Sequence, residues 1–194
     1  MFKRIVMVLL ALCLATGTAF AVDAKDVKFP EQLKLENVEL VFNGSGIRIK
    51  KIGFIKVKPY VAALFLQEKT EDGDAVVSGD APMAIRLYIT SKLISSDKMT
   101  KSTREGFELS TNGNTAPIEK EIDAMMDVFK EKINVDDIYD MVYVPGAGTC
   151  IYKQGEKKAT IEGLAFKQAL FGIWLGAKPT LETMKAGMLG QPKG

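Results

Sequence analysis

One stretch, residues 43–66 with the sequence NGSGIRIKKIGFIKVKPYVAALFL, limits most strongly what this chain can fold into. It opens on Asn43-Gly44-Ser45-Gly46, residue types that tolerate positive φ, set between two β-prone apolar runs. The expected structure there is a tight connection between strands. Ile47, Ile49, Ile52, Phe54, Ile55 and Val57 then alternate in part with Arg48, Lys50, Lys51, Lys56 and Lys58, which predicts an extended segment with one face covered and one wet. From Tyr60 to Leu66 charge disappears, so the chain is expected to enter the covered centre of a sheet, with Pro59 marking a bulge or an edge at the transition.

The start of the chain belongs to a different kind of segment. Lys3 and Arg4 precede a short apolar run, and Ala19-Phe20-Ala21 has the small-x-small form of a signal-peptidase site, so residues 1–21 read as a signal peptide cleaved near Ala21. The run falls short of the about 20 apolar residues a membrane span needs, and no transmembrane segment is expected in the mature chain. Leu12 before Cys13 argues against a lipoprotein, which wants a small residue there. Removing residues 1–21 takes away Lys3 and Arg4 from 26 basic residues and leaves 24 against 24 acidic ones. A neutral chain is a poor partner for nucleic acid, whose binding rests on clustered cations. Cys150 is then the one remaining thiol, which excludes an internal disulfide and fits a bacterial periplasm better than a disulfide-rich scaffold.

The chain contains no histidine. Imidazole-based nucleophilic triads and the commonest zinc sites are therefore excluded. No cofactor and no metal site is expected; Asp136, Asp137 and Asp140 are too few oxygen ligands for a calcium loop.

Along the rest of the chain, residues 22–35 read as an N-terminal leader able to pair late at a sheet edge, and residues 36–42 as the first firm strand. Residues 68–82 form a loop with one helical turn, and 84–90 a strand. A helix capped by Ser95 or Ser96 runs to about Leu109, with Met99, Thr103 and Phe107 on one stripe. Thr115 and Pro117 open a second helix through Ile118, Ile122, Met125, Met126, Phe129 and Ile133, which should lie flat on the sheet. A three-strand meander over 140–162 follows, then a helix over 163–175 stopped by Gly176, then a short helix capped by Thr180. The fold class is α+β: one domain, residues 36–190, in which helices cover an antiparallel sheet.

Several of these segments, in order, resemble the chalcone isomerase superfamily, in its exported bacterial chalcone-isomerase-like branch. They are Asn43-Gly44-x-Gly46-Ile47-Arg48, Lys58-x-Tyr60-Val61-Ala62-Ala63, Ser96-x-Lys98-Met99 and Arg104-Glu105-Gly106-Phe107, then Tyr143-x-Pro145-Gly146-x-Gly148-Thr149, Ile161-Glu162-Gly163 with Phe166, and Trp174-Leu175-Gly176 with Pro179. The resemblance implies an open-faced β-sandwich with a ligand cleft between the sheet and two helices. In the plant enzymes an Arg on the Gly-x-Arg strand steadies the anionic substrate during ring closure, and a Thr, Tyr, Lys and Asn complete the polar network. Arg48 and Lys98 match the Arg and the Lys; Tyr60, Ser95 and Ser102 stand where the Thr, Tyr and Asn would be.

That pattern resembles instead the fatty-acid-binding members, in which an Arg and a Tyr at these positions hold a carboxylate. A guanidinium grips a carboxylate through two parallel charge-assisted bonds and a phenol adds a third. The expected ligand is thus a small hydrophobic or amphiphilic anion of fatty-acid type, bound by Arg48, Tyr60 and Lys98 without catalysis. Two other functions stay open. In an isomerase, an intramolecular lyase acting on a chalcone-like substrate, the same Arg48, Lys98 and Tyr60 would be catalytic; in a periplasmic interaction module no ligand would bind. Each residue also has a plainer role open to it: Arg48 as a solvated strand charge, Tyr60 as a core tyrosine, Lys98 as a surface lysine.

Overall fold

Two β-prone runs, β2 (Val38–Ile47) and β5 (Tyr60–Leu66), pair antiparallel with Gly46 opposite Ala62 and Ile47 opposite Val61. They form the spine of the computed structural model, which describes residues 26–191. Around them are β1 (Gln32–Leu35), β6 (Met83–Ile89), β7 (Ile138–Val144), β8 (Gly148–Lys153) and β9 (Glu156–Ile161). The seven strands lie in the order β1, β2, β5, β6, β7, β8, β9, every pairing antiparallel. Between β2 and β5 the chain leaves the sheet as a small ribbon of β3 (Lys50–Ile52) and β4 (Ile55–Val57).

The main core lies under the helices. Every residue of β5 is buried, with Tyr60, Ala62, Leu64 and Leu66 facing that core beside Ile85, Leu87 and Ile89 of β6. Ala63 and Phe65, with the opposite parity, join Leu33, Leu40, Ala84, Val142, Cys150 and Tyr152 in a smaller cluster on the other face. Phe29 closes part of that face by stacking on Phe42 at 6.1 Å. The central strand is therefore covered on both sides. Its neighbours Arg86 and Asp140 sit opposite one another on that second face, joined by two hydrogen bonds of 2.6 and 2.9 Å.

Five helices cover the main face: α1 (Gly73–Ser78), α2 (Ser96–Ser110), α3 (Glu119–Val128), α4 (Leu164–Leu175) and α5 (Glu182–Met188). Helix α4 is apolar nearly all round and packs on α1 and α2, with Phe166 stacked on Phe107 at 5.7 Å. One cation is buried within it. The Lys167 ammonium donates to the carbonyls of Val76, Val77 and Gly79 at 2.7, 3.0 and 2.6 Å, so α4 holds the carbonyl end of α1. Burial pushes the Lys167 pKa down to about 8, with Asp80 pulling the other way.

Several local expectations need correction. The glycine-rich run at 43–46 is not a turn but the second half of β2, with a bulge between Phe42 and Gly44. Its glycines serve close approach. A Cβ on Gly44 would meet the Gly187 carbonyl oxygen at 2.3 Å, and one on Gly46 would meet that of Met184 at 2.3 Å, so α5 rests directly on strand backbone. The turn lies instead at Gly53-Phe54, and the 50–57 segment is a projecting hairpin rather than part of the half-covered sheet, which ends at Ile47. The first strand over 36–42 is shifted as well: Glu36 and Asn37, at φ 52° and 60°, form the turn between β1 and β2. The leader over 22–35, expected to pair at a sheet edge, supplies the edge strand β1.

Two further corrections concern helix ends. Thr180 does not cap α5, whose N-cap is Leu181; its hydroxyl donates to the Ile173 carbonyl at 2.7 Å. Helix α3 stops at Val128, after a 3-10 turn at Ala116–Ile118, and Ile133 is buried beyond it from a loop. Ser95 does cap α2, accepting from the Lys98 amide. The proposed cleavage region, residues 1–21, lies outside the described residues.

Two outcomes follow from this packing. Gly46→Ala drives a methyl group into helix backbone that cannot step aside, and is expected to lower stability by about 3 kcal/mol in urea denaturation. All five tyrosines have raised pKa values: Tyr88, Tyr143 and Tyr152 reach about 12 through burial and their bonds to Asp136, Asp80 and Glu36, while Tyr60 and Tyr139 are raised chiefly by burial. A raised acid pKa stabilises the fold fully below the unfolded value of 10 and loses that contribution as pH climbs through about 12. Lys167, lowered from 10.5 to about 8, acts in the opposite sense between those values. Stability is therefore expected to fall steeply above pH 10, in step with tyrosinate absorbance, when melting is followed by circular dichroism.

Candidate functional site

The site begins where the long β2–β5 ladder ends. The Arg48 amide donates to the Tyr60 carbonyl at 3.0 Å, continuing the register by one more pair, so Arg48 and Tyr60 stand opposite each other and project from one face. That is the helix-covered face, because Tyr60 shares it with Ala62 and Leu64. Gly44 and Gly46 occupy the same row, and α5 fills the space above them. Just before α5 begins, this cover gives way to Thr180, and the row ends in the guanidinium.

Arg48 Nη1 donates to the carbonyls of Ile49 at 3.0 Å and Thr180 at 3.4 Å. Tyr60 is buried, and its phenolic oxygen accepts from Trp174 Nε1 at 3.2 Å. Burial raises the phenol's pKa, while the Trp174 bond and the nearby Arg48 charge work against the rise. The hydroxyl therefore stays protonated at neutral pH. Its own proton has no acceptor among the described residues, so it remains free to donate.

These three side chains border a cavity of about 320 Å³. That size falls within the about 300 to 1,000 Å³ usual for small-molecule sites. Leu87, Met99, Met125, Phe129 and Ile173 form the apolar lining, and Ile52, Leu93, Lys50, Lys98 and Lys101 stand around its outer part. Two of the methionines thus face open space, where an unbranched, polarizable side chain adapts to a ligand's shape.

Arg48, Tyr60 and Lys98 all border this one cavity, although they are not equivalent. Lys98 is exposed on the first turn of α2, and its ammonium donates to the Leu93 carbonyl at 3.0 Å. Ser95 is engaged as the helix cap, and Ser102 accepts from Lys50 Nζ at 3.4 Å. Asp136 accepts from Tyr88, Asp140 pairs with Arg86, and no cluster of potential metal ligands occurs among the described residues. Trp174 is the cavity residue that sequence reasoning passed over as a site candidate. Its signal was present as the single tryptophan of the chain, set in a helix whose other residues read as plain core.

A sequence profile described as chalcone isomerase-like matches residues 21–190. The chain belongs to the chalcone isomerase-like family. No curated protein matches it by sequence. Among solved structures it is similar to the Arabidopsis thaliana fatty-acid binding protein AtFAP1, with a TM-score of 0.69 and 15% identity, over 87% of this chain and 94% of that chain. At that identity the likeness is one of fold: a curled antiparallel sheet with helices on it, as the chalcone isomerase-like family architecture requires. The matched span includes β1, which places this strand within the family domain.

The Trp174 to Tyr60 bond can be tested directly. Trp174→Phe keeps a ring but removes the donor from a buried phenol, and is expected to cost about 1 to 2 kcal/mol in urea denaturation. Combined with Tyr60→Phe the second change should add much less than it does alone, because both act on one interaction.

Proposed function

We propose that this protein binds a fatty acid or a similar amphiphilic anion without transforming it, with Arg48 and Tyr60 holding the head group. The observation that carries this reading is the pairing of a guanidinium and a protonated phenol on one face, at the edge of an otherwise apolar cavity. A carboxylate placed there accepts from both, and each charge-assisted bond contributes about 1.5 to 3 kcal/mol. The acyl chain then lies along Leu87, Met99, Met125 and Phe129, gaining about 0.8 kcal/mol per buried methylene. One solved structure of similar fold is that of a fatty-acid binding protein, which supports the reading.

A ring-closing isomerase would need further polar groups around the substrate. Ser95 and Ser102, where the plant enzymes carry Tyr and Asn, are short side chains already committed to a helix cap and to Lys50. Lys98 in this reading adds positive potential at the rim rather than a bond to the head group. The proposal includes export to the periplasm, on the strength of the amino-terminal sequence pattern over residues 1–21.

Trp174 provides the readout, because the single tryptophan borders the cavity. Titration of delipidated protein with palmitate is expected to change its fluorescence saturably. Arg48→Ala should weaken binding about 10- to 100-fold, and the methyl ester should bind wild type no better than palmitate binds the variant. Lys98→Ala should change affinity by less than about fivefold. No fatty acid in lipid extracts of the purified protein, together with an Arg48→Ala affinity equal to wild type, would overturn the proposal.

A further inference from the structure

The head-group clamp and the acyl cavity leave the β3–β4 hairpin unexplained. Phe54 at its turn is fully exposed, at 109% of the reference area, and Ile55, Ile52 and Ile49 are exposed at 67, 47 and 39%. Leu93, ahead of α2, is 52% exposed and borders the cavity together with Ile52. These are five of the six large exposed hydrophobic residues among the described residues, so apolar exposure is concentrated at one place on the molecule. The place is the rim of the cavity.

The charge around it has one dominant sign. Residues 48–58 contain Arg48, Lys50, Lys51, Lys56 and Lys58 and no acidic residue, in a chain whose overall balance is 26 basic to 24 acidic. On the facing side of the rim Lys98 and Lys101 are accompanied by Asp97 and Glu105 of the same helix, so the basic excess comes mainly from the hairpin. A protruding aromatic tip with isoleucines beside it and lysines behind matches the layered chemistry of a bilayer interface. The ring enters the boundary of headgroups and acyl chains, and the ammonium groups stay with anionic headgroups. The same charges oppose a second copy of this chain, because two such hairpins brought together would repel. No helix among the described residues is long and apolar enough to cross a membrane.

We propose that the β3–β4 hairpin, with Leu93, docks the cavity rim on an anionic lipid surface, so that an acyl ligand exchanges between bilayer and cavity without crossing bulk water. The exchange rests on the fatty-acid reading above; the docking stands on the hairpin alone. Because Phe54 is fully exposed among the described residues, its replacement is expected to leave the fold intact, which a thermal melt of the variant verifies.

The test is co-sedimentation with vesicles of phosphatidylcholine alone and of phosphatidylcholine mixed with phosphatidylglycerol. The expected result is binding to the mixed vesicles only, weakened by salt. Phe54→Ser should reduce it about tenfold or more, and Lys51→Glu with Lys56→Glu at least as much. Palmitate affinity in free solution, read from Trp174, should be unchanged in Phe54→Ser. Equal binding to both vesicle types, or to Phe54→Ser and wild type, would overturn the docking. So would self-association in solution that Phe54→Ser abolishes, which would assign the tip to a second copy. A protein that binds palmitate in solution but ignores vesicles refutes this inference alone. One that docks on vesicles but binds no fatty acid refutes the carrier reading and leaves the docking in place.

Discussion

The contact of α5 with the bare backbone of β2 governs the site. Only a row without side chains at Gly44 and Gly46 lets helix backbone come this near to a strand. The next position in the row is Arg48, and the carbonyl that receives one of its hydrogen bonds belongs to Thr180, in the lead-in to the same helix. Asn43 secures the arrangement from the other end: its amide donates to the carbonyls of Met188 and Thr70 and accepts from the Thr70 amide, at 2.9 to 3.0 Å. The Asn-Gly-x-Gly-x-Arg string is thus one device, in which an anchor, two gaps and a cation occur at the spacing that a docked helix imposes.

Much of this was legible in the chain. The charge-free run 60–66 marked the central strand, and the period of Ile85, Leu87 and Ile89 gave the buried face of β6, because burial selects side chains directly. Ser95 announced its helix through a bond that only a few side chains can make. The misread positions were those where a residue type has two physical uses. Glycine serves turns and close packing alike, and local sequence cannot distinguish them; α5, which settles the matter, lies more than 130 residues away. The alternation over 50–57 was real but had no sheet behind it, since a two-stranded ribbon pairs by the same rule as a seven-stranded sheet.

The candidate site divides in the same manner. Arg48 and Tyr60 were brought together by the family resemblance; the physical reason came only with the pairing, since opposite members of a hairpin share a face whatever loop joins them. Trp174 could not be placed with them, because its link to Tyr60 spans 114 positions and depends on how α4 settles on the sheet. Lys167 escaped notice for a related reason: a cation in an apolar helix reads as solvated until three carbonyls at the end of another helix are found around it.

The ribbon of β3 and β4 departs from the sheet just beyond the Arg48 and Tyr60 pair and returns to it at that same pair. A detour closed at its base can be lengthened, shortened or given a new composition without shifting a single rung of the ladder below. Evolution is then free to vary the exposed ribbon while the Arg48 and Tyr60 pair stays constant, and the two parts can diversify on separate schedules within one family.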